Sequence, residues 1–239
     1  MSDNKRTLLR SIAAGIAVGA VAITVVLLLV LPKETVPSET AGIESPTGDP
    51  DEWTRLRERW PDLAAWVTVE GTSIDSPVMK APDDDSEFYL DHGPDREEDS
   101  IGCPYIDPRT TADGPYTIVY AHRAWGTNGF SEISDAHTQE TFDGIGDCVW
   151  STPDGGVKRL RKLCSARVPA DDATTQTFEW SSDLARRLWV GTVVRNASVK
   201  VDGAEDFANH ARKTVTLVTC SEREPGQPWR CVTTFAEVD

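Results

Sequence analysis

The sequence predicts one mostly-β (α+β) domain, a barrel or sandwich of short strands, carried behind a single membrane-spanning helix. Three observations predict it. Short β-branched or aromatic runs are punctuated by Gly, Pro and Asp, the pattern of many strands joined by turns. Helical spacing is confined to an N-terminal segment and two inserts. One uninterrupted apolar run stands apart near the N-terminus.

That run, residues 12–31, holds 20 residues without a charge. At 1.5 Å per residue such a helix covers about 30 Å, the hydrocarbon thickness of a bilayer. Lys5, Arg6 and Arg10 precede it, and a lone Lys33 follows Pro32. The positive-inside bias therefore predicts a single-pass protein of the cell membrane, with a cytoplasmic tail (1–11) and an extracellular remainder. A cleaved signal peptide is the rival reading. Its apolar core would be shorter, about 7–15 residues, and would end in a small-residue site that LLLVLPKE lacks. Residues 32–50 are rich in Pro, Ser, Thr, Gly and Glu and read as a flexible linker. Residues 51–239 have the length of one domain.

Within that domain, residues 51–60 place Trp53, Leu56 and Trp60 at helical spacing, and Asp51 and Glu52 suit the positive end of the helix dipole. Strand-like runs follow at 66–69, 77–79, 101–106, 116–120, 148–150, 157–163, 214–219 and 231–238. Helical inserts are predicted at 137–142 and 182–194. In the second, Leu184, Leu188 and Trp189 share one face, with Arg186 and Arg187 pointing elsewhere.

Formal net charge is −15, or −17 outside a tail whose side chains sum to +2. Nucleic acid is excluded as a partner, since it needs a basic stripe. The charge fits a domain held near an anionic membrane surface but not flat upon it. Five cysteines, at 103, 148, 164, 220 and 231, include no C-x-x-C pair. The usual zinc and thioredoxin-like signatures are thereby missing, and no metal or cofactor is predicted. An odd count in an exported domain leaves at least one thiol unpaired. Cys103, Cys148, Cys164 and Cys231 allow up to two disulfides, in three connectivities.

Two strand ends carry chemistry. Cys220 ends the run VTLVT and opens onto a polar loop, SEREPG. A thiolate there would be a nucleophile if a base or positive charge stood near. The local context fits a buried structural cysteine as well. His122 ends the run YTIVYA and precedes a loop, RAWGTNG. Histidine is the natural proton shuttle near neutral pH. Arg230 stands ten residues after Cys220, just before the last strand-like run. A guanidinium there can stabilise a developing oxyanion.

In combination these segments resemble the class B sortases. WVTVEGTSIDSPVM (66–79) is similar to the family's W-x-x-I-x-G-T-x-I-D-Y-P-V-M, FYL (88–90) to its F-Y-L, and GCPYID (102–107) to G-x-I-F-x-D. IVYAH (118–122) resembles I-x-Y-G-H, which carries the family histidine. LVTC (217–220) resembles L-S-T-C, which carries the nucleophile. WRCV (229–232) resembles R-F-V-V, which carries the arginine. Ala121 and Val218 depart from the usual Gly and Ser. The resemblance implies a closed β-barrel of about eight strands with an N-terminal helical segment and helical inserts.

It further implies a membrane-anchored cysteine transpeptidase. Cys220 would attack the Thr carbonyl of a C-terminal sorting signal, LPxTG- or NPxTN-like, on a surface protein. Arg230 would steady the oxyanion, and His122 would protonate the leaving amine. The thioacyl group would pass to an amine on a lipid-linked peptidoglycan precursor or a pilin. Thr219 is expected to orient the substrate, Val218 to shape its contacts, and Glu222 to hold Arg230 or be solvated. The insert at 182–194 is expected to border the groove. Two rivals use the same residues differently: an exported cysteine hydrolase releasing its product to water, and a non-catalytic anchored binding module. Papain-like proteolysis is disfavoured, because C-G-[SA]-C-[WY] is absent and the histidine precedes the cysteine.

Overall fold

A computed structural model describes residues 45–224 and 226–237. The predicted tail (1–11), the membrane helix (12–31) and most of the linker (32–50) lie outside the described residues. Among the described residues no helix is long and apolar enough to cross a membrane.

Among the described residues nine strands form one sheet: β1 (Leu63–Val69), β2 (Asp75–Lys80), β3 (Tyr105–Ile106), β4 (Tyr116–Tyr120), β5 (Cys148–Thr152), β6 (Gly156–Pro169), β7 (Val199–Lys200), β8 (Lys213–Cys220) and β9 (Trp229–Glu237). The order is β5-β1-β2-β3-β4-β8-β9-β6, and β5 pairs again with β6. Eight strands therefore close a barrel, which removes their edges; β7 is a ninth, pairing with β6 outside the ring. The closure decides for the barrel over the sandwich. It turns on the 14-residue β6, which pairs β5 through its first part and β9 through its second. A register shift between Lys162 and Cys164 separates the two pairings, and such a bulge bends a strand.

The barrel interior is filled by alternate residues of each strand, among them Val67, Val119, Trp150, Leu160, Leu217 and Phe235. Helix α1 (Pro50–Arg59) covers one side. Asp49 caps it by accepting the Asp51 N–H at 3.0 Å, and Trp53 packs beside Trp60, Trp66 and Met79. Helices α2 (Gln139–Gly144), α3 (Asp183–Asn196) and α4 (Ala204–His210) complete the domain. Lys162 donates to the Phe142 and Ile145 carbonyls and so caps α2, which has no basic residue in its last turn.

Several expectations are corrected. The run at 101–106 yields strand only at Tyr105 and Ile106. Gly102 sits at φ +62°, a left-handed conformation that breaks an extended chain. The last strand starts at Trp229, so Arg230 lies within it. Helix α3 buries Arg186, Val190 and Val194, while Leu184 and Leu188 are 59% and 57% exposed. Arg186 faces inward because its guanidinium donates to the Ala211 carbonyl at 2.7 Å, where α4 ends, and pairs with Asp183. All five cysteines are free thiols, so neither disulfide forms. Cys231 faces the interior, opposite to Arg230, as strand alternation requires.

A buried ammonium closes the barrel far from Cys220. Lys213 Nζ donates to the Ala112 and Gly114 carbonyls, both at 2.7 Å, and to Thr117 Oγ1 at 3.1 Å. Burial pushes this group down to about 8 from 10.5. Between those values the unfolded chain binds more protons than the folded one, so this lysine makes stability rise with pH. Subtracting the unfolding free energies of a Lys213→Met variant should isolate that rise. A difference that stays flat from pH 8 to 10 would contradict it.

Candidate active site

β4 and β8 run parallel in register, with Tyr120 beside Val218. Each strand's residue two positions further on therefore arrives at the same end of the barrel. Those residues are His122 and Cys220. The last bond between the two strands is Ala121 N–H to the Val218 carbonyl, 3.2 Å. Antiparallel β9 then sets Arg230 directly opposite Cys220, and residues so paired have Cβ atoms about 5 Å apart. All three line one groove of about 1050 Å³.

Strand alternation sorts the neighbours. Val218, Cys220, Arg230 and Val232 face outward to the groove, and Val218 packs on Tyr116, Ile118 and Val232. Thr219 also lines the groove, but strand alternation turns its side chain to the opposite face, where its Oγ1 is buried without a hydrogen-bond partner. Cys220 differs from the other four cysteines in being only half-buried. Burial pushes the thiols of Cys103, Cys148, Cys164 and Cys231 up, so they stay protonated at neutral pH and are poor nucleophiles.

His122 is held by a turn that the sequence pattern marked only as FYL. Its Nε2–H donates to the Leu90 carbonyl at 2.9 Å, so Nδ1 is the nitrogen left for proton transfer. The turn Phe88–Leu90 is pinned in its own right. Tyr89 OH donates to Asp62 at 2.5 Å, Arg96 Nε donates to the same carboxylate at 2.6 Å, and Cys103 N–H donates to the Tyr89 carbonyl. Gly102 packs so closely that a Cβ there would stand 2.3 Å from the Tyr89 oxygen.

Arg230 curls the preceding loop, donating through Nη1 to the Gln227 carbonyl at 2.8 Å and the Trp229 carbonyl at 3.1 Å. Glu222 does not hold it. Glu222 pairs instead with Arg167, which also donates to Ser221 Oγ at 3.1 Å and stacks 4.4 Å over Trp229. β6 carries Arg167 alongside Cys231 of β9, within reach of the loop after Cys220. Helix α3 does not border the groove either. The wall there comes from the segment before it, including Ala170, Thr175 and Gln176. Trp189 of α3 packs behind that wall, 4.8 Å from Tyr116.

Sequence reasoning missed one polar corner of the groove. Asp107 is 1% exposed and takes two bonds from the Arg109 guanidinium, at 2.9 and 2.7 Å, one from the Arg109 backbone N–H at 2.9 Å, and one from Tyr120 OH at 3.0 Å. Burial opposes its ionisation, but the hydrogen bonds from Arg109 and Tyr120 outweigh burial and keep the carboxyl below its usual range. Arg109 also donates to Gln176 at 2.8 Å. The Asp-Pro-Arg spacing was the available signal, since Asp side chains bond the backbone two residues on. Among the described residues no group of three His, Cys, Asp or Glu could hold a metal ion.

No family model matches the chain. Over 85 residues it is 29% identical to sortase B of Listeria monocytogenes, a match covering 35% of this chain and 34% of that protein. The match thus spans about a third of the relative's length. Solved structures align far more broadly. Clostridium perfringens sortase B superposes with a TM-score of 0.68 at 23% identity, covering 78% of this chain and 100% of that one. A Staphylococcus aureus sortase B–substrate complex gives 0.66 at 19% identity, covering 78% and 84%. The fold is that of a class B sortase. Within the class B sortase fold, the closed eight-strand barrel and the parallel β4–β8 pair are the features that deliver His122 and Cys220 to one groove.

Proposed function

We propose that the chain is a cysteine transpeptidase of the sortase kind, with Cys220 as nucleophile, His122 as general acid and base, and Arg230 as the oxyanion partner. One observation carries the reading: a half-buried thiol, a histidine and an arginine converge at one end of a single groove. The similar S. aureus protein was solved as a substrate complex, and substrate binding is carried over from it. The substrate is an extended C-terminal sorting signal, LPxTG- or NPxTN-like. The Cys220 thiolate attacks the Thr carbonyl carbon, and the carbonyl oxygen becomes an oxyanion beside the Arg230 guanidinium. As the C–N bond breaks, His122 gives its proton to the leaving amine, and a thioester remains. An incoming amine, on a cell-wall precursor or a pilin, attacks the thioester while His122 takes its proton. The thiolate leaves and an amide is restored. Residues 12–31 anchor this domain outside the membrane, where exported substrates emerge.

The test is a sorting peptide incubated with the protein, with and without an added amine, and its products weighed by mass spectrometry. An amide adduct supports transpeptidation, whereas free acid in equal yield under both conditions favours the hydrolase. An unreactive Cys220 with no cleavage favours the binding module. Arg230→Lys should lower kcat by about 10²–10³-fold, the usual loss on removing an oxyanion donor, because an ammonium lacks the planar fork. Equal kcat in that variant would remove Arg230 from the mechanism.

A further inference from the structure

The interstrand ladder stops short of the reacting pair. Its last bond is at Ala121, so His122 and Cys220 both lie beyond the hydrogen bonds that align β4 with β8. Arg123 follows the histidine directly and Ser221 follows the cysteine. The Arg123 guanidinium donates through Nη1 to the Ser221 carbonyl. It also grips Asp135, Nη2 to Oδ2 at 2.9 Å and Nη1 to Oδ1 at 3.3 Å. Its side chain is 12% exposed.

Both ends of this link are themselves fixed. On the histidine side, Phe130 N–H donates to the His122 carbonyl at 2.9 Å, and Ala124 N–H donates to Ser131 Oγ at 2.8 Å. Gly129, at φ +59°, comes so near that a Cβ would stand 2.4 Å from the His122 oxygen. Phe130, just before the turn Ser131–Ile133, and Ile133, its last residue, are buried in the barrel core. On the cysteine side, Ser221 N–H donates to the Trp229 carbonyl at 3.2 Å, and its hydroxyl accepts from Arg167.

We infer that Arg123 is a positioning residue: it braces the residue after His122 to the carbonyl of the residue after Cys220 and so sets the separation and orientation of the pair. The inference rests on the proposed acyl transfer for the roles of those two residues. It explains why a guanidinium stands there. Its fork reaches a carboxylate and a carbonyl at once, which a single ammonium cannot do in the same plane. Misplacing a reacting group by about an ångström costs on the order of 10²-fold in rate.

Arg123→Leu and Arg123→Lys should each lower kcat for a sorting peptide by about 10–100-fold, with KM moving less than about twofold as expected for a loss felt in the transition state. The Lys variant should keep the wild-type unfolding midpoint. Unchanged kcat in the folded Lys variant overturns the brace. A second readout needs no substrate. Alkylation of Cys220 by iodoacetamide is followed against pH, with and without His122→Ala, in the wild type and in Arg123→Leu. The effect of His122→Ala should shrink at least about fivefold when Arg123 is removed, the coupling a double-mutant cycle measures. The same effect in both backgrounds, or none in either, overturns the inference. Should the wild type cleave no sorting peptide, the transpeptidase reading falls, and the alkylation cycle alone decides the brace.

Discussion

A Cys220→Ala variant is expected to lose at least about 10⁴-fold in kcat/KM for sorting-signal cleavage, the scale seen when a covalent nucleophile is deleted, while unfolding at the wild-type temperature. The size of the loss follows from chemistry. In the proposed mechanism the bond to the substrate carbonyl forms at this sulfur, and no other thiol among the described residues stands in the groove to replace it. Cys103, Cys148, Cys164 and Cys231 are buried away from the groove, with thiols held protonated by burial. The retained stability follows from position. Cys220 is the last residue of β8 and only half-buried, so removing its sulfur opens no core cavity. Cleavage assays, with intact-mass detection of the thioacyl adduct in the wild type, check both halves. A variant that still cleaves would refute the assignment outright.

What the sequence made legible was whatever depends on neighbours in the chain. The runs at 116–120 and 214–219 are uncharged and rich in β-branched residues, because β4 and β8 are covered on both faces, inside by the barrel core and outside by Phe178, Trp180 and Trp189, which pack on the patch formed by Tyr116, Ile118, Val218 and Val232. Strand ends beside polar loops marked Cys220 and His122 for the same reason. What escaped depends on residues far apart. Glu222 finds Arg167, 55 positions away, instead of Arg230, eight away, because β6 and β9 are neighbours in the barrel. The face of α3 was misleading because arginine is read as polar. Arg186 is buried since its charged end satisfies the carbonyls where α4 stops, and α4 itself, at seven residues, was too short to show a period. β7 has two residues and no pattern of its own. Arg123 carried no signal at all, since its meaning lies in a carbonyl 98 positions away.

Replacing His122 by Ala should cost about 10²–10⁴-fold in kcat with an ordinary amide signal, the range for losing a general acid, and the loss should depend on the leaving group. In the proposed mechanism the imidazole gives its proton to a nitrogen that cannot leave as an anion. Its Nε2–H is committed to the Leu90 carbonyl, so the proton in flight belongs to Nδ1. A peptide ester with an acidic alcohol as leaving group needs no such proton. In His122→Ala that ester should acylate Cys220 with much less than the amide's loss, measured by intact mass in single turnover. Cys220, Arg230 and the groove wall at Val218 are unaltered in the variant, so binding of the ester should be preserved. Equal losses for amide and ester would move His122 from proton donor to a role in forming the thiolate, because every substrate would then be limited by the nucleophile alone. The Leu90 contact separates these outcomes further. His122→Gln can keep an N–H donor to the carbonyl but carries no proton for transfer, so it should match Ala on the amide. Recovery by Gln would instead assign the ring a purely structural part.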